Sequence, residues 1–201
     1  MAFEFLRPCQ VNSKIRLGRP KDGGYVLEND SLDHIDVVYS YGVGWEVSFE
    51  KALYGRIKKT IRIFDPTMFD MSNIPLNIKR GAFWITKYLA KVVYFKTYLL
   101  ALPVFGYDIK FYNEGLATKG VYKYDSFENH VRRFGDVGKK IMLKIDIEGG
   151  EYEMFGDEGF QKSLDHVVQI AIEFHDLQDR LGDLERLIKR LSDRFSIAHF
   201  H

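Results

Sequence analysis

The fold of this chain is decided by the stretch Val37-Val38-Tyr39-Ser40-Tyr41-Gly42-Val43-Gly44-Trp45-Glu46. Its apolar first half predicts a buried strand, and the Gly-x-Gly that follows predicts a turn into a helix beginning near Val47. A strand that ends at glycines and continues into a helix leaves free backbone N–H groups beside a crevice. The sequence therefore predicts a ligand site at this corner.

Further apolar stretches predict strands that pair with this one. Helical or crossover-length segments separate them, which is typical of a parallel sheet covered by helices on both faces. The predicted strands are 35–41, 60–66, 108–113, 140–146 and 167–174, and another begins at 195–201. We predict a single α/β domain over 1–201, built on a doubly wound, mostly parallel sheet.

Two segments stand outside this alternation of strands and helices. Residues 14–29 predict a strand–turn–strand unit, in which Asp22 and the following glycines either close the sheet or approach a ligand. Residues 68–105 predict a helical insertion, which is loop-like to residue 80 and helical from Phe83. This insertion is a crossover helix, a lid, a contact between copies in a homo-oligomer, or a membrane-surface contact. Because it carries Lys87, Lys91 and Lys96, we do not expect it to span a membrane.

Composition excludes several classes of protein. The formal net charge of +1 over 201 residues gives no global field that would attract nucleic acid. The single cysteine, Cys9, rules out an internal disulfide and indicates a reducing compartment, and no basic-then-apolar leader opens the sequence. We therefore expect a cytoplasmic protein with no transmembrane segment and no nucleic-acid partner.

Acids and glycines follow each predicted strand. In an open parallel sheet, the carboxyl ends of the strands share one edge, where ligands bind. The residues concerned are Gly42 and Gly44, Asp65, Asn113 and Glu114, Asp146 and Glu148, and Glu173 and His175. Asp65 lies 21 residues after Gly44, which is the spacing at which Rossmann-type sheets place the acid that holds a ribose.

The residues of the turn indicate which nucleoside would fit. A dinucleotide fingerprint needs a third glycine, but that position holds Val47, and Glu46 would repel a pyrophosphate. No Lys or Arg occurs in the turn. A nucleoside that lacks phosphates and carries its own positive charge fits an acidic rim better, and S-adenosylmethionine is such a molecule.

Four blocks resemble those of the FkbM-type methyltransferase family, in the same order. The most specific is Leu143-Lys144-Ile145-Asp146-Ile147-Glu148-Gly149-Gly150-Glu151, which resembles the family's LKIDIEGaE signature. The others are Arg19-Pro20-Lys21-Asp22-Gly23-Gly24-Tyr25, Tyr41-Gly42-Val43-Gly44 and Ile172-Glu173-Phe174-His175. The chain departs from the family in carrying the bulky Trp45 directly after the glycine turn.

The resemblance implies a Rossmann-like class I methyltransferase that uses S-adenosylmethionine, usually to methylate a hydroxyl. By position, Gly42 and Gly44 would shape the methionine pocket, Asp65 would hold the ribose, and Asp146 would lie near the methionine or the transfer site. Glu114 is a further cofactor-binding candidate, on the adenine side. We expect the sheet to lack the last strand pair of that class. The acceptor would be a sugar or another small molecule.

The general base is predicted from the chemistry of methyl transfer to a hydroxyl, because the acceptor proton has to be removed. His175 is the first candidate, oriented by Glu173 or Asp176, and Glu148 is the second. No metal ligand is assigned. Three alternatives stay open: an NAD-dependent oxidoreductase, a metal-dependent hydrolase or transferase using Asp146, Glu148 and His175, and a non-catalytic nucleoside-binding module.

Overall fold

The computed structural model describes residues 4–20, 23–69 and 82–200 of the 201-residue chain. The strands are Lys14–Gly18 (β1), Gly24–Glu28 (β2), Val37–Tyr41 (β3), Thr60–Phe64 (β4), Ile109–Tyr112 (β5), Gly115–Leu116 (β6), Tyr124–Asp125 (β7), Ile141–Ile145 (β8) and Val167–Ile172 (β9). The α-helices are Ser48–Ile57 (α1), Ala82–Ala101 (α2), Phe127–Arg133 (α3), Glu151–Gly156 (α4), Glu158–Ser163 (α5) and Leu177–Leu191 (α6). Short 3-10 turns occupy Glu4–Leu6, Ser31–His34 and Leu164–His166.

Five strands form the central sheet, in the order β5-β4-β3-β8-β9, and all neighbouring pairs are parallel. The strand order reverses beside β3, because the chain first adds β4 and β5 on one side and later adds β8 and β9 on the other. At such a reversal the loops leaving the two adjacent strands diverge and open a crevice. The crevice therefore lies beyond Tyr41 and Ile145, the last residues of β3 and β8.

Helices cover both faces of this sheet. One core lies under α1 and α2, where Leu53 and Phe95 pack with Val38 and Met142 from the central strands. The opposite core lies under helices α3–α6, where Leu184 packs with alternate residues of the same strands. Strands that are buried on both faces are mainly apolar, which is why they form nearly continuous apolar runs in the sequence, interrupted here by the buried Ser40, Arg62 and Lys144. The predicted α/β fold with a doubly wound parallel sheet is confirmed.

An antiparallel hairpin made of β1 and β2 lies outside the central sheet. Gly18, at its turn, has φ +91°, and a Cβ there would lie 2.3 Å from the carbonyl oxygen of Gly23. Only glycine fits at so close a crossing. The predicted turn residue Asp22 lies outside the described residues. Helix α1 packs on this hairpin and holds it beside the crevice.

The predicted strand at 195–201 is wrong for the residues that the structure describes. Residues 195–200 form no strand. Phe195 and Ile197 instead pack against the core under α6, and the carbonyl oxygen of Ile197 accepts a hydrogen bond from the backbone N–H of Cys9 (2.7 Å). This single backbone hydrogen bond to the N-terminal segment does not make residues 195–200 part of a sheet. The described sheet thus has no last strand pair.

The insertion contains one continuous helix, α2, in the part that the structure describes, and its predicted loop from residue 70 to residue 80 lies outside the described residues. One side of α2 packs on the sheet through the buried residues Phe95 and Leu99. No helix in the described ranges combines the length and the hydropathy needed to cross a membrane.

Candidate active site

A cavity of about 900 Å³ opens at the carboxyl ends of the central strands. Residues that follow β3, β4, β8 and β9 line it, together with residues of the β1–β2 hairpin and of β6. Pockets that hold cofactors and small molecules have volumes of ~300–1,000 Å³. The cavity is therefore large enough for a nucleoside cofactor and part of an acceptor.

The glycine turn after β3 forms one wall of the cavity. Gly42 has φ +72°, and a Cβ on it would lie 1.4 Å from the backbone oxygen of Asp146. Gly44 has φ +55°, and a Cβ on it would have no neighbour within 4 Å. The first glycine thus allows two backbones to meet, and the second leaves open space on the cavity side.

Asp65 ties the end of β4 to this turn. Its Oδ2 accepts a hydrogen bond from the backbone N–H of Gly44 (2.8 Å). Its Oδ1 accepts bonds from Thr67, through the backbone N–H (2.9 Å) and the hydroxyl (2.8 Å), and from the backbone N–H of Met68 (3.0 Å). A carboxylate oxygen has two lone pairs, and among the described residues Oδ2 accepts only the bond from Gly44, so it can accept another from a ligand. Asp65 is thus both a brace for the turn and an acceptor at the cavity wall.

Asp146, which follows β8, lies in a polar network with Lys144 and Tyr25. The Lys144 ammonium, which is 3% exposed, donates to Asp146 Oδ2 (3.1 Å) and to the carbonyl oxygen of Gly42. The Tyr25 hydroxyl lies between two carboxylates, 3.3 Å from Asp146 Oδ2 and 3.1 Å from Glu173 Oε2. Burial, together with these two carboxylates, raises the pKa of Tyr25 far above its ordinary value. Tyr25 is therefore a hydrogen-bond donor at neutral pH.

His175 lies at the opposite end of the same group, after β9. Its Nδ1 is 3.2 Å from Oε1 of Glu151, while its Nε2 is 3.8 Å from Asp146 Oδ1 and 3.6 Å from Glu148 Oε2. Partial burial would lower the pKa of His175, but the carboxylates of Glu151, Glu148 and Asp146 outweigh burial and raise the pKa above its ordinary value. The ring is thus held at Nδ1 and presents Nε2.

Glu151 is the residue that orients His175, a role predicted for Glu173 or Asp176. Its fully buried carboxylate also accepts the backbone N–H groups of Ile147 (2.7 Å) and Gly149 (2.9 Å). Glu151 therefore holds both the loop after β8 and the imidazole of His175 in place. The sequence offers a signal for it, because Glu151 is the last residue of the block 143–151 that resembles the family's signature, and it begins α4.

Glu148 projects outward from this loop. Its backbone has φ +56° and its side chain is 87% exposed. The ligand atoms of Asp146, Glu148 and His175 lie within 4.8 Å of one another. Two carboxylates and an imidazole at this spacing suit a divalent cation as well as a proton relay.

The buried acid Glu50, which lies beneath the glycine turn, was not predicted from the sequence. Glu50 of α1 is 2% exposed, lines the cavity and accepts a hydrogen bond from the Ser40 hydroxyl (2.6 Å). Burial raises the pKa of Glu50, and the nearby ammonium of Lys144 acts in the opposite direction. The available signal was an acid between Phe49 and Leu53, on the face of α1 that is buried.

Glu114 and its neighbour Asn113, both predicted at a strand end, do not line the cavity. The Oε2 of Glu114 lies 2.5 Å from a guanidinium nitrogen of Arg133 and 3.3 Å from His130 Nε2. The next residues, Gly115 and Leu116, line the cavity instead. The predicted residues that do line it are Gly42, Gly44, Asp65, Asp146, Glu148, Glu173 and His175. The structure adds four residues that were not predicted as members of the site, namely Tyr25, Lys144, Glu50 and Glu151.

Comparison with known families adds an independent finding. Residues 121–195, which are less than half of the chain, match the family described as the methyltransferase FkbM domain. The match includes β8, β9 and the loops that carry Asp146, Glu151 and His175. Neither the curated proteins nor the solved structures gave a match. The matched segment and the parallel sheet together support membership of the FkbM-type methyltransferase family.

Proposed function

We propose that this chain is an S-adenosylmethionine-dependent O-methyltransferase whose acceptor is a hydroxyl on a sugar or another small molecule. The observation that carries the proposal is that Gly44, Asp65 and Asp146 surround one cavity, with His175 on its wall. The glycine turn, the ribose acid and a candidate base are thus within reach of a single bound nucleoside. The family match supports methyl transfer as the reaction.

The donor groups of the cavity fit a cationic nucleoside. Asp65 Oδ2 has a free acceptor site for a ribose hydroxyl, and Gly44 lets the nucleoside approach the backbone because no Cβ intervenes. Asp146 places negative charge near the turn, which favours the sulfonium and the amino group of the cofactor, and Glu50 adds a buried carboxyl group at the cavity wall. When bound, S-adenosylmethionine supplies a methyl group on a positively charged sulfur.

His175 would act as the general base. When Nδ1–H donates to Glu151, the neutral imidazole has its lone pair on Nε2, and this atom lies 3.8 Å from Asp146 Oδ1. Nε2 would take the proton of the acceptor hydroxyl, whose oxygen would receive the methyl group that S-adenosylmethionine supplies, leaving S-adenosylhomocysteine. Alignment of the two reactants supplies much of the acceleration in such a transfer.

An NAD-dependent oxidoreductase remains the enzymatic alternative, and one contact favours it. Arg19 of the β1–β2 hairpin forms an ion pair with Glu46 (2.6 Å) and lines the cavity. The negative charge that would repel a pyrophosphate is therefore partly compensated. Against this alternative, Val47 still occupies the place of the third glycine.

Calorimetric titration of the full chain separates these functions without knowledge of the acceptor. We expect S-adenosylmethionine and S-adenosylhomocysteine to bind with 1:1 stoichiometry and to raise the melting temperature, because ligands that bind only the folded state stabilise it. NAD under the same conditions should give no heat of binding. Binding of NAD alone would overturn the proposal in favour of the oxidoreductase, and binding of none of the three would favour the non-catalytic module.

The imidazole signals of His175 test its role as a base. We expect a proton NMR titration to give a pKa above the ordinary histidine value of ~6.5, and we expect Glu148→Gln to lower it, because one of the carboxylates that raises it is removed. The spectrum of His175→Gln identifies the signals. Glu153→Gln is the matched control, since Glu153 is an exposed acid on α4. An unchanged pKa in Glu148→Gln would contradict the geometry.

The same titration tests how the stability of the fold changes with pH through the protonation of His175. A raised folded-state pKa means that the carboxylates around His175 stabilise the fold fully below ~pH 6.5, and that this stabilisation is lost as the pH rises through the folded-state value.

Addition of Mn²⁺ to the same sample distinguishes a general base from a metal ligand. Selective broadening of the His175 signals, with the other histidine signals unaffected, would mean that Asp146, Glu148 and His175 form a cation site and that His175 is not the base.

A further inference from the structure

Helix α2 exposes an unusual number of large apolar side chains. Val93 is 64% exposed, Tyr94 71% and Leu100 70%, and the residues just after the helix, Val104 and Phe105, are also exposed. Such side chains are normal on a surface when they occur singly, but a contiguous patch marks an interaction site. This exposed apolar face belongs to an element that packs on the sheet only through its other side.

Two of the three lysines of α2 lie at the borders of this face, and the third, Lys91, lies against Trp45. At about 100° per residue, Lys87 and Lys96 are about 180° apart on the helix, and the arc between them on the outward side contains no charged residue. The outward arc holds Phe83, Thr86, Leu89, Ala90, Val93, Tyr94, Thr97, Leu100 and Ala101. A mostly apolar strip with a lysine at each border suits a helix that lies in the plane of a membrane interface, where the ammonium groups of Lys87 and Lys96 can reach the headgroups.

We propose that the outward face of α2 binds an anionic lipid surface. Residues 82–107 contain three lysines and no Asp or Glu, so this segment is basic although the chain as a whole has a net charge of +1. Basic residues beside an apolar face favour membranes whose headgroups are negative. The helix lies on this surface and does not cross it, in accord with the hydropathy of the described helices.

A second copy of the chain fits this face less well. Two copies that met through α2 would bring lysines together with no carboxylate of the same segment to pair with them, and like charges at an interface are unfavourable. Phosphate headgroups supply the missing countercharge.

Helix α2 also packs on Trp45, whose ring centre lies 5.5 Å from that of Phe95 and 4.4 Å from the ammonium of Lys91. Because Trp45 follows Gly44, α2 lies beside the glycine turn that lines the cavity.

Vesicle co-sedimentation of the full chain tests the proposal. We expect binding to vesicles of phosphatidylglycerol and phosphatidylcholine to be at least about tenfold tighter than to phosphatidylcholine alone, and to weaken with added salt. Val93→Glu should weaken binding by about tenfold or more, because it places a carboxylate in the apolar strip. Lys87→Gln combined with Lys96→Gln should remove most of the preference for anionic vesicles.

The chain offers a matched control. Val137 is 65% exposed, against 64% for Val93, and lies in the turn before β8, so Val137→Glu changes the same residue type at equal exposure. It should bind vesicles as the unchanged protein does. Equal binding of Val93→Glu and Val137→Glu would overturn the proposal. So would a dimer, measured by light scattering, that Val93→Glu dissociates while vesicles bind neither form. None of these readouts depends on S-adenosylmethionine.

Discussion

Replacing Gly42 by alanine is expected to lower the free energy of unfolding by about 3 kcal/mol or more. Two penalties add at this position. The backbone has φ +72°, a conformation that costs a residue with a Cβ ~1–2 kcal/mol, and the new Cβ would lie 1.4 Å from the backbone oxygen of Asp146. Since that oxygen belongs to the loop after β8, relief of the overlap requires β3 or this loop to move. Such overpacking costs ~1–3 kcal/mol by itself.

Thermal unfolding followed by circular dichroism measures the effect. For a chain of this size, the expected loss corresponds to a fall in melting temperature of about 6–12 °C. Gly55→Ala is the control, because Gly55 lies in α1 without a positive φ and a Cβ on it would have no neighbour within 4 Å. It should stabilise the chain by ~0.5–1 kcal/mol. A Gly42→Ala protein as stable as the unchanged chain would show that the two loops do not meet as described.

Most of the fold was predictable because the central strands are buried on both faces. Mainly apolar runs such as 37–41 and 141–145 indicate buried strands without any knowledge of their partners. Their spacing along the chain then favours parallel connections. The carboxyl ends of parallel strands must share an edge, so Asp65, Asp146 and His175 could be placed together from order alone.

What the sequence did not predict depends on contacts between distant residues. Tyr25 reaches Glu173 across 148 positions of the chain, and no local pattern in the hairpin indicates this. Glu151 was hidden for a different reason: as an acid in the first turn of α4 it is explained by capping alone, although its carboxylate also contacts the imidazole of His175. Glu114 follows a strand as its neighbours do, yet an ion pair with Arg133 binds its carboxylate. Position at a strand end thus does not by itself place a residue in the site.

Replacing Asp65 by asparagine is expected to weaken the binding of S-adenosylhomocysteine by about 10- to 100-fold. The carboxylate accepts four hydrogen bonds, three at Oδ1 and one, from Gly44, at Oδ2. An amide has only one oxygen, so its NH₂ group must face at least one of these donors. If the oxygen takes the three bonds from Thr67 and Met68, the NH₂ faces the N–H of Gly44. The turn then loses its tie to β4, and the charged acceptor proposed for the ribose is lost with it.

Calorimetric titration of the variant measures this loss, and a second variant separates it from instability. Asp157 also accepts a backbone N–H, from Phe160 (2.8 Å), at the start of α5, and it does not line the cavity. Asp157→Ala should therefore destabilise the chain by ~1 kcal/mol and leave the affinity for S-adenosylhomocysteine unchanged. Equal affinities in Asp65→Asn and the unchanged chain would mean that Asp65 braces the turn without touching the ribose. Equal losses in both variants would mean that affinity follows stability, because Asp157 has no contact with the cavity through which it could act on the ligand.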